Sequence, residues 1–178
     1  MDSVIDKDKQ QQAAVRLLLG RDDIDPNIED EDGHTPLSRT ARLGPNVIAE
    51  LLAKSEKTDI NKQDNHGYTP LAWAAWSGRE GLVALMLTRD NVVLDYTTVA
   101  GETPLDLAVK NGHRGVVRML LPAYERAGLA VSSRSERLLQ DGADEGADIK
   151  VGFNCTTIKL PWYRCRSWEV CLPYPSCP

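Results

Sequence analysis

The sequence predicts an all-α solenoid: helix-turn-helix pairs stacked side by side, joined by β-hairpin-like loops, in about three repeats after an N-terminal half repeat. Three observations carry this. Thr-Pro-Leu recurs at Thr35, Thr69 and Thr103, 34 residues apart each time. A glycine stands two places before each Thr (Gly33, Gly67, Gly101), and another nine places after it (Gly44, Gly78, Gly112). An apolar cluster then follows at one offset: Ile48, Leu51 and Leu52; Leu82, Leu85 and Met86; Val116, Met119 and Leu120. Self-similarity at such a period marks a stacked repeat architecture.

Each element of the unit has a physical role. The first glycine allows a positive φ in a tight turn, where a Cβ would clash. Thr caps a helix, its hydroxyl accepting an orphan amide of the first turn. Pro directly after it suits the first helical position, where no amide hydrogen is needed. Leu71, Ala74 and Ala75, and their counterparts, give that helix a small apolar face. The second glycine ends it. The following cluster has i, i+3, i+4 spacing, one face of a second helix.

The stretches DEDGHTPLSRTARLG, DNHGYTPLAWAAWSG and TVAGETPLDLAVKNG, the last followed by HRGVVRMLL, resemble the ankyrin repeat. The resemblance covers about Ala13 to Leu121, and RDDIDPNIEDEDGHTPL resembles the ankyrin arrays of large fungal proteins. It implies a non-catalytic module that binds a protein through a concave face of hairpin tips and first helices. The contact positions it implies are Glu31, Asp32, His34, Arg42 and Leu43; Asn65, His66, Tyr68, Trp76 and Ser77; Val99, Ala100, Glu102, Lys110 and Asn111. His is common in the family just after Thr-Pro-Leu. Here Ser38, Ala72 and Asp106 stand there, which implies weaker coupling between repeats.

Taken in order, residues 1–12 are expected to be flexible and 13–128 to form the repeat domain. Within it fall a half repeat (13–29) and repeats at 30–63, 64–97 and 98–128. AAVRLLLG from Ala13 matches a second helix with no Thr-Pro-Leu before it. Either residues Asp6–Gln12 lengthen this helix as a polar cap, which solenoid ends need, or the array is a fragment of a longer one. Asp22 to Asp32 holds seven acids and no base. A calcium loop with Gly33 sixth would place Ile28 first and Arg39 twelfth, and both fail as ligands. A solvated loop is the expectation.

In the first repeat, Arg39 stands where the second has Trp73 and the third Leu107. It either snorkels or pairs with the acidic hairpin. In the third repeat, Thr98 replaces the turn Asp (Asp30, Asp64), so a less ideal hairpin is expected. Pro122 blocks the helix ladder, leaving AYERAG for one capping turn. Residues 129–150 read as linker or disorder, with one short helix around Ser135 to Gln140. The tail, 151–178, carries Cys155, Cys165, Cys171 and Cys177 at spacings of ten, six and six. It holds no C-x-x-C zinc signature and is expected to be disordered, with a metal or redox role and an apolar docking peptide (Trp162, Tyr163, Trp168) as alternatives. Asn154 opens a glycosylation sequon expected to be idle.

The net charge of −5 argues against the basic footprint of a nucleic-acid binder. No apolar run approaches the ~20 residues of a membrane helix. MDSVIDKDKQQQ is too polar for a secretory signal, and Asp2 follows Met1 where myristoylation requires Gly. A cytoplasmic or nuclear monomer without cofactor or metal is expected. No nucleophile or acid pattern accompanies His34 and His66, which read as solvated loop histidines, while His113 belongs to the turn between helices. No enzyme is expected.

The sharpest functional expectation concerns Tyr68 and Trp76, large aromatics at positions that the unit's core does not need. Exposed Tyr and Trp are typical interface anchors. Trp73 half-faces the core and reads as packing. With acids at Glu31, Asp32 and Glu102 around the aromatic centre, the expected partner has an apolar knob and some basic groups. Two further readings stand beside this adaptor: a segment of a larger signalling protein with a structural or autoregulatory role, which exposed Leu17 and Leu18 would favour, and the metal or redox tail.

Overall fold

The computed structural model of the chain describes residues 2–132 and residue 135. The linker from 136 to 150 and the cysteine-bearing tail from 151 to 178 lie outside the described residues, with every expectation attached to them. So does most of the short helix expected around Ser135 to Gln140. Among the described residues there are seven helices and no strand: α1 (Asp2–Leu19), α2 (Pro36–Leu43), α3 (Asn46–Lys54), α4 (Pro70–Trp76), α5 (Glu80–Leu87), α6 (Pro104–Lys110) and α7 (Arg114–Ala127).

The helices stand in two rows. One row is α2, α4 and α6, each packed on the next; the other is α1, α3, α5 and α7. Each inner helix packs on the outer helix that follows it. The helix expected from about Ala13 instead runs from Asp2, giving α1 eighteen residues. Residues 2–12 carry no proline or glycine to interrupt it.

The inner helices start as their sequences dictate. The hydroxyls of Thr35, Thr69 and Thr103 accept the amides of Ser38 (3.2 Å), Ala72 (3.1 Å) and Asp106 (3.2 Å), and Pro follows each cap. Leu37, Ala41, Leu71, Ala74, Ala75, Leu105 and Ala108 are buried between the rows. In the outer row Leu52, Leu82, Met86, Val116 and Leu120 are buried as expected, while Leu85 and Met119 are only half-buried. Ala49 and Ala53 are also buried, while Ile48 and Leu51 are only half-buried. In α3 the small Ala49 and Ala53 allow close helix approach.

The loops before the inner helices share one backbone. The amides of Gly33, Gly67 and Gly101 donate to the carbonyls of Asp30 (2.9 Å), Asp64 (2.9 Å) and Thr98 (2.8 Å). All three glycines have φ between +73° and +78°, where a side chain would be strained. Thr98 therefore builds the same turn as the aspartates, and the expected loss of ideality lies only in its side chain. Adjacent loops are joined by Asn65 N to Asp32 O (3.1 Å) and Val99 N to His66 O (2.9 Å). Between repeats, the Asn27 amide side chain bridges Lys57 O (2.8 Å) and Asp59 N (2.6 Å). Asn61, one period later, bridges Asn91 O (2.7 Å) and Val93 N (2.9 Å).

Pro122 does not end its helix: α7 passes through it to Ala127 and closes on Gly128 at φ 68°. The proline is exposed, and the turn beyond it buries Ala123 and Tyr124. The Tyr124 hydroxyl donates to Leu94 O at 2.6 Å. Burial of that ring outweighs one missing helical hydrogen bond. It also pushes the phenol up to about 12, against the opposing pull of a hydrogen bond with Thr103.

Candidate inner-face binding site

The hairpins and inner helices form one continuous face, and its centre is built on Trp73. This indole is buried (7 % exposed). Tyr68 stacks on it, with centroids 4.3 Å apart and planes 19° from parallel, and Trp76 meets it edge-on at 5.7 Å. The guanidinium of Arg42 lies 4.7 Å above its ring. Such offset and edge contacts suit the aromatic quadrupole, and Arg over Trp adds a cation–π attraction.

One carboxylate orients the centre. Asp64 Oδ2 accepts Trp73 Nε1 (2.8 Å), while Oδ1 accepts the amides of His66 and Tyr68 (2.9 Å each). His34 of the preceding hairpin places Nδ1 3.1 Å from Asp64 Oδ2, without hydrogen-bond alignment, and sets its ring edge-on to Trp73 at 5.7 Å. In the preceding repeat Asp30 has the equivalent role, binding Arg39 at 3.0 Å. Of the two outcomes open to Arg39, pairing with the acidic hairpin is the one found. Partial burial pushes the Asp30 carboxyl up, but the amides of His34 and Asp32 and the nearby Arg39 guanidinium hold it below the usual carboxylate range. Each turn aspartate thus has a donor nine residues on. The third copy lacks both members, with Thr98 and Leu107.

The expected contact residues divide accordingly. Glu31, Asp32 and His66 are exposed at the hairpin tips. Trp76 is 40 % exposed, Leu43 70 % and Val99 82 %. Tyr68 and Arg42 are half-buried in the aromatic centre, and burial, then the Glu102 charge, raises the Tyr68 phenol above its ordinary value. Asn65 is exposed but spends its side-chain amide on Glu31 O (3.1 Å). Ser77 spends its hydroxyl on Arg42 O (3.2 Å), and Asn111 its amide on Leu107 O (2.7 Å).

Two expectations are corrected. His34 is not a solvated loop histidine but is buried (3 % exposed), because the neighbouring repeat closes over it with Asp64 and Trp73. Glu102 is likewise buried and ion-paired with Lys110 at 2.8 Å, so its charge is neutralised within the molecule. His113 is structural as expected, its Nε2 2.9 Å from Trp76 O.

Sequence reasoning missed a second carboxylate hub. Asp106 Oδ2 accepts the amide and hydroxyl of its own cap, Thr103 (2.9 and 2.8 Å). Its Oδ1 accepts the hydroxyls of Ser132 and Ser135. Burial pushes this carboxyl up, but the serine and threonine hydrogen bonds prevail and hold it below the usual range. The segment after α7 is thereby fastened to the start of α6. The only signal was an acid three residues after a Thr cap, the capping-box spacing.

No helix among the described residues is long and apolar enough to cross a membrane. Comparison with curated proteins gives no match. A family model of ankyrin repeats in three copies matches residues 5–97, and a single ankyrin repeat matches 100–134. Ankyrin repeats are in general protein–protein interaction modules and in general not enzymes. With two rows of helices, a glycine hairpin in each unit and these matches over most of its length, the chain belongs to the ankyrin repeat family.

Proposed function

We propose that the protein is a non-catalytic adaptor or scaffold that binds a segment of another protein across its inner face, with Trp76 as the anchor. The observation that carries this is Trp76 itself. It is 40 % exposed, yet its ring is held edge-on by the buried Trp73. An aromatic already ordered before binding loses little further freedom when a partner covers it. Tyr68 and Arg42 pack on the same Trp73 ring, and Glu31, Asp32 and His66 are exposed around it, the usual anatomy of an interface core and its polar edge. The protein acts as a cytoplasmic or nuclear monomer on this reading.

A photo-crosslinking amino acid at position 76 tests it, with position 84 on the exposed side of α5 as the control. Discrete protein adducts from 76 and none from 84 are expected. Equal or absent adducts from both would sink the proposal. A second reading, an array packed against a neighbouring domain, is favoured by Leu17 and Leu18, which are 73 % and 49 % exposed on α1. Adducts from position 17 but not 76 would select it.

A further inference from the structure

The inner helices carry Arg42, Trp76 and Lys110 at equivalent positions, so these form one row across α2, α4 and α6. The cations in and around this row are satisfied, with one exception. Lys110 has Glu102 (2.8 Å), Arg39 has Asp30 (3.0 Å), and Arg79 donates to Thr40 O (2.9 Å). Arg42 has the face of Trp73 and no acid; its Nε is buried with no hydrogen-bond partner. A ring face attracts the charge but offers no lone pair to the N–H groups. The two Nη groups, unlike Nε, are not buried, and the end of a guanidinium fork matches a carboxylate in two-point geometry.

Resting on the reading of this face as a binding surface, we infer that the bound segment is acidic where it meets Arg42: an Asp or Glu side chain lies on the guanidinium, beside an apolar side chain on Trp76. Adjacent packed helices stand roughly 8–10 Å apart, and a chain in the polyproline-II conformation advances roughly 3.1 Å per residue with every third side chain on the same side. The acid and the apolar residue are therefore about three positions apart. The competing chemistry is a basic segment drawn to Glu31 and Asp32. Those acids are solvated at a hairpin tip, where an ion pair contributes little. Arg42 is half-buried, so its pairing is screened less than theirs.

The probe is a displayed library of random nine-residue peptides, selected on the immobilised full chain and followed by anisotropy titration of synthetic winners. Winners are expected to pair an apolar residue with Asp or Glu about three positions away. Changing that acid to its amide in the peptide is expected to weaken binding roughly tenfold. Arg42→Gln should weaken the acidic peptide equally, and the two changes together should cost no more than either alone. Because the acid-to-amide change is made in the peptide, it leaves the fold of the protein untouched. Winners that depend on Trp76 but are indifferent to the acid, or that are basic, would overturn the inference and leave the binding face standing. Winners indifferent to Trp76→Ala, or none at all, would overturn both.

Discussion

The hairpins of the second and third repeats share a backbone and differ in what their side chains do with it. Asp64 N and Thr98 N each bond the carbonyl four residues on at 3.0 Å, and both loops turn on a positive-φ glycine. Asp64 then gathers Trp73, two loop amides and the neighbouring His34, whereas the Thr98 hydroxyl takes only the Glu102 amide at 3.2 Å. The glycine makes the turn. The aspartate converts it into a clamp on the aromatic centre. The third repeat closes its end differently, by fixing the following segment to Asp106.

The largest expected effect is that of Asp64→Ala. It leaves Trp73 Nε1 and two amides without acceptors and should cost about 3 kcal/mol, read as a lower urea midpoint. Thr98→Ala should cost about 1 kcal/mol. Equal losses would break the comparison. Next, Trp73→Phe keeps a ring but removes the donor and should cost about 1.5 kcal/mol. Combined with Asp64→Ala it should fall short of the sum by about 1 kcal/mol, and strict additivity would mean that Asp64 acts on the loop alone. Tyr124→Phe, which strips Leu94 O of its donor, should cost about 1 kcal/mol.

Smaller still are the pH effects. The raised Tyr124 phenol favours the neutral form in the folded state. Its contribution is complete below the ordinary phenol value of about 10 and is lost as pH rises from there to about 12. Stability measured across that window should decline, less so in Tyr124→Phe. Asp106 runs the other way. Its lowered carboxyl favours the charged form, so its contribution is present above the ordinary value of about 3.9 and vanishes as pH falls through the lowered one. Asp106→Asn should flatten the acid limb of the stability profile; an unchanged limb would show that the Ser132 and Ser135 contacts carry no weight. Finally, hydrogen exchange should be faster in α1, which packs on α3 with exposed leucines, than in α4.

What was legible in the sequence was local. A Thr cap, a Pro at the first helical position and a turn glycine each act within four residues, so the three units and their inner helices could be placed directly. What was not legible depended on partners about one period away. His34 has the composition of a loop residue, and only the ring and carboxylate of the next repeat bury it. Pro122 carries a strong local stop signal, yet Tyr124 reaches a carbonyl 30 positions back, and tertiary burial wins. Ser132 and Ser135 sit in a polar stretch with no periodicity, so nothing marked them as partners of Asp106. On the inner face, Trp76 was expected to lie outside the core and is 40 % exposed, whereas Tyr68, expected likewise, is half-buried against Trp73, and Glu102 was misjudged because Lys110, eight residues on, neutralises it.

The bridging side chains of Asn27 and Asn61 have a consequence for how such a chain can change over generations. Each grips main-chain atoms of the following unit, and every residue type except proline supplies both a main-chain donor and an acceptor. The joint is therefore blind to its neighbour's side chains. A unit copied whole arrives with its own connector already fitted, and the surfaces that face a partner are free to diverge while the seams stay intact.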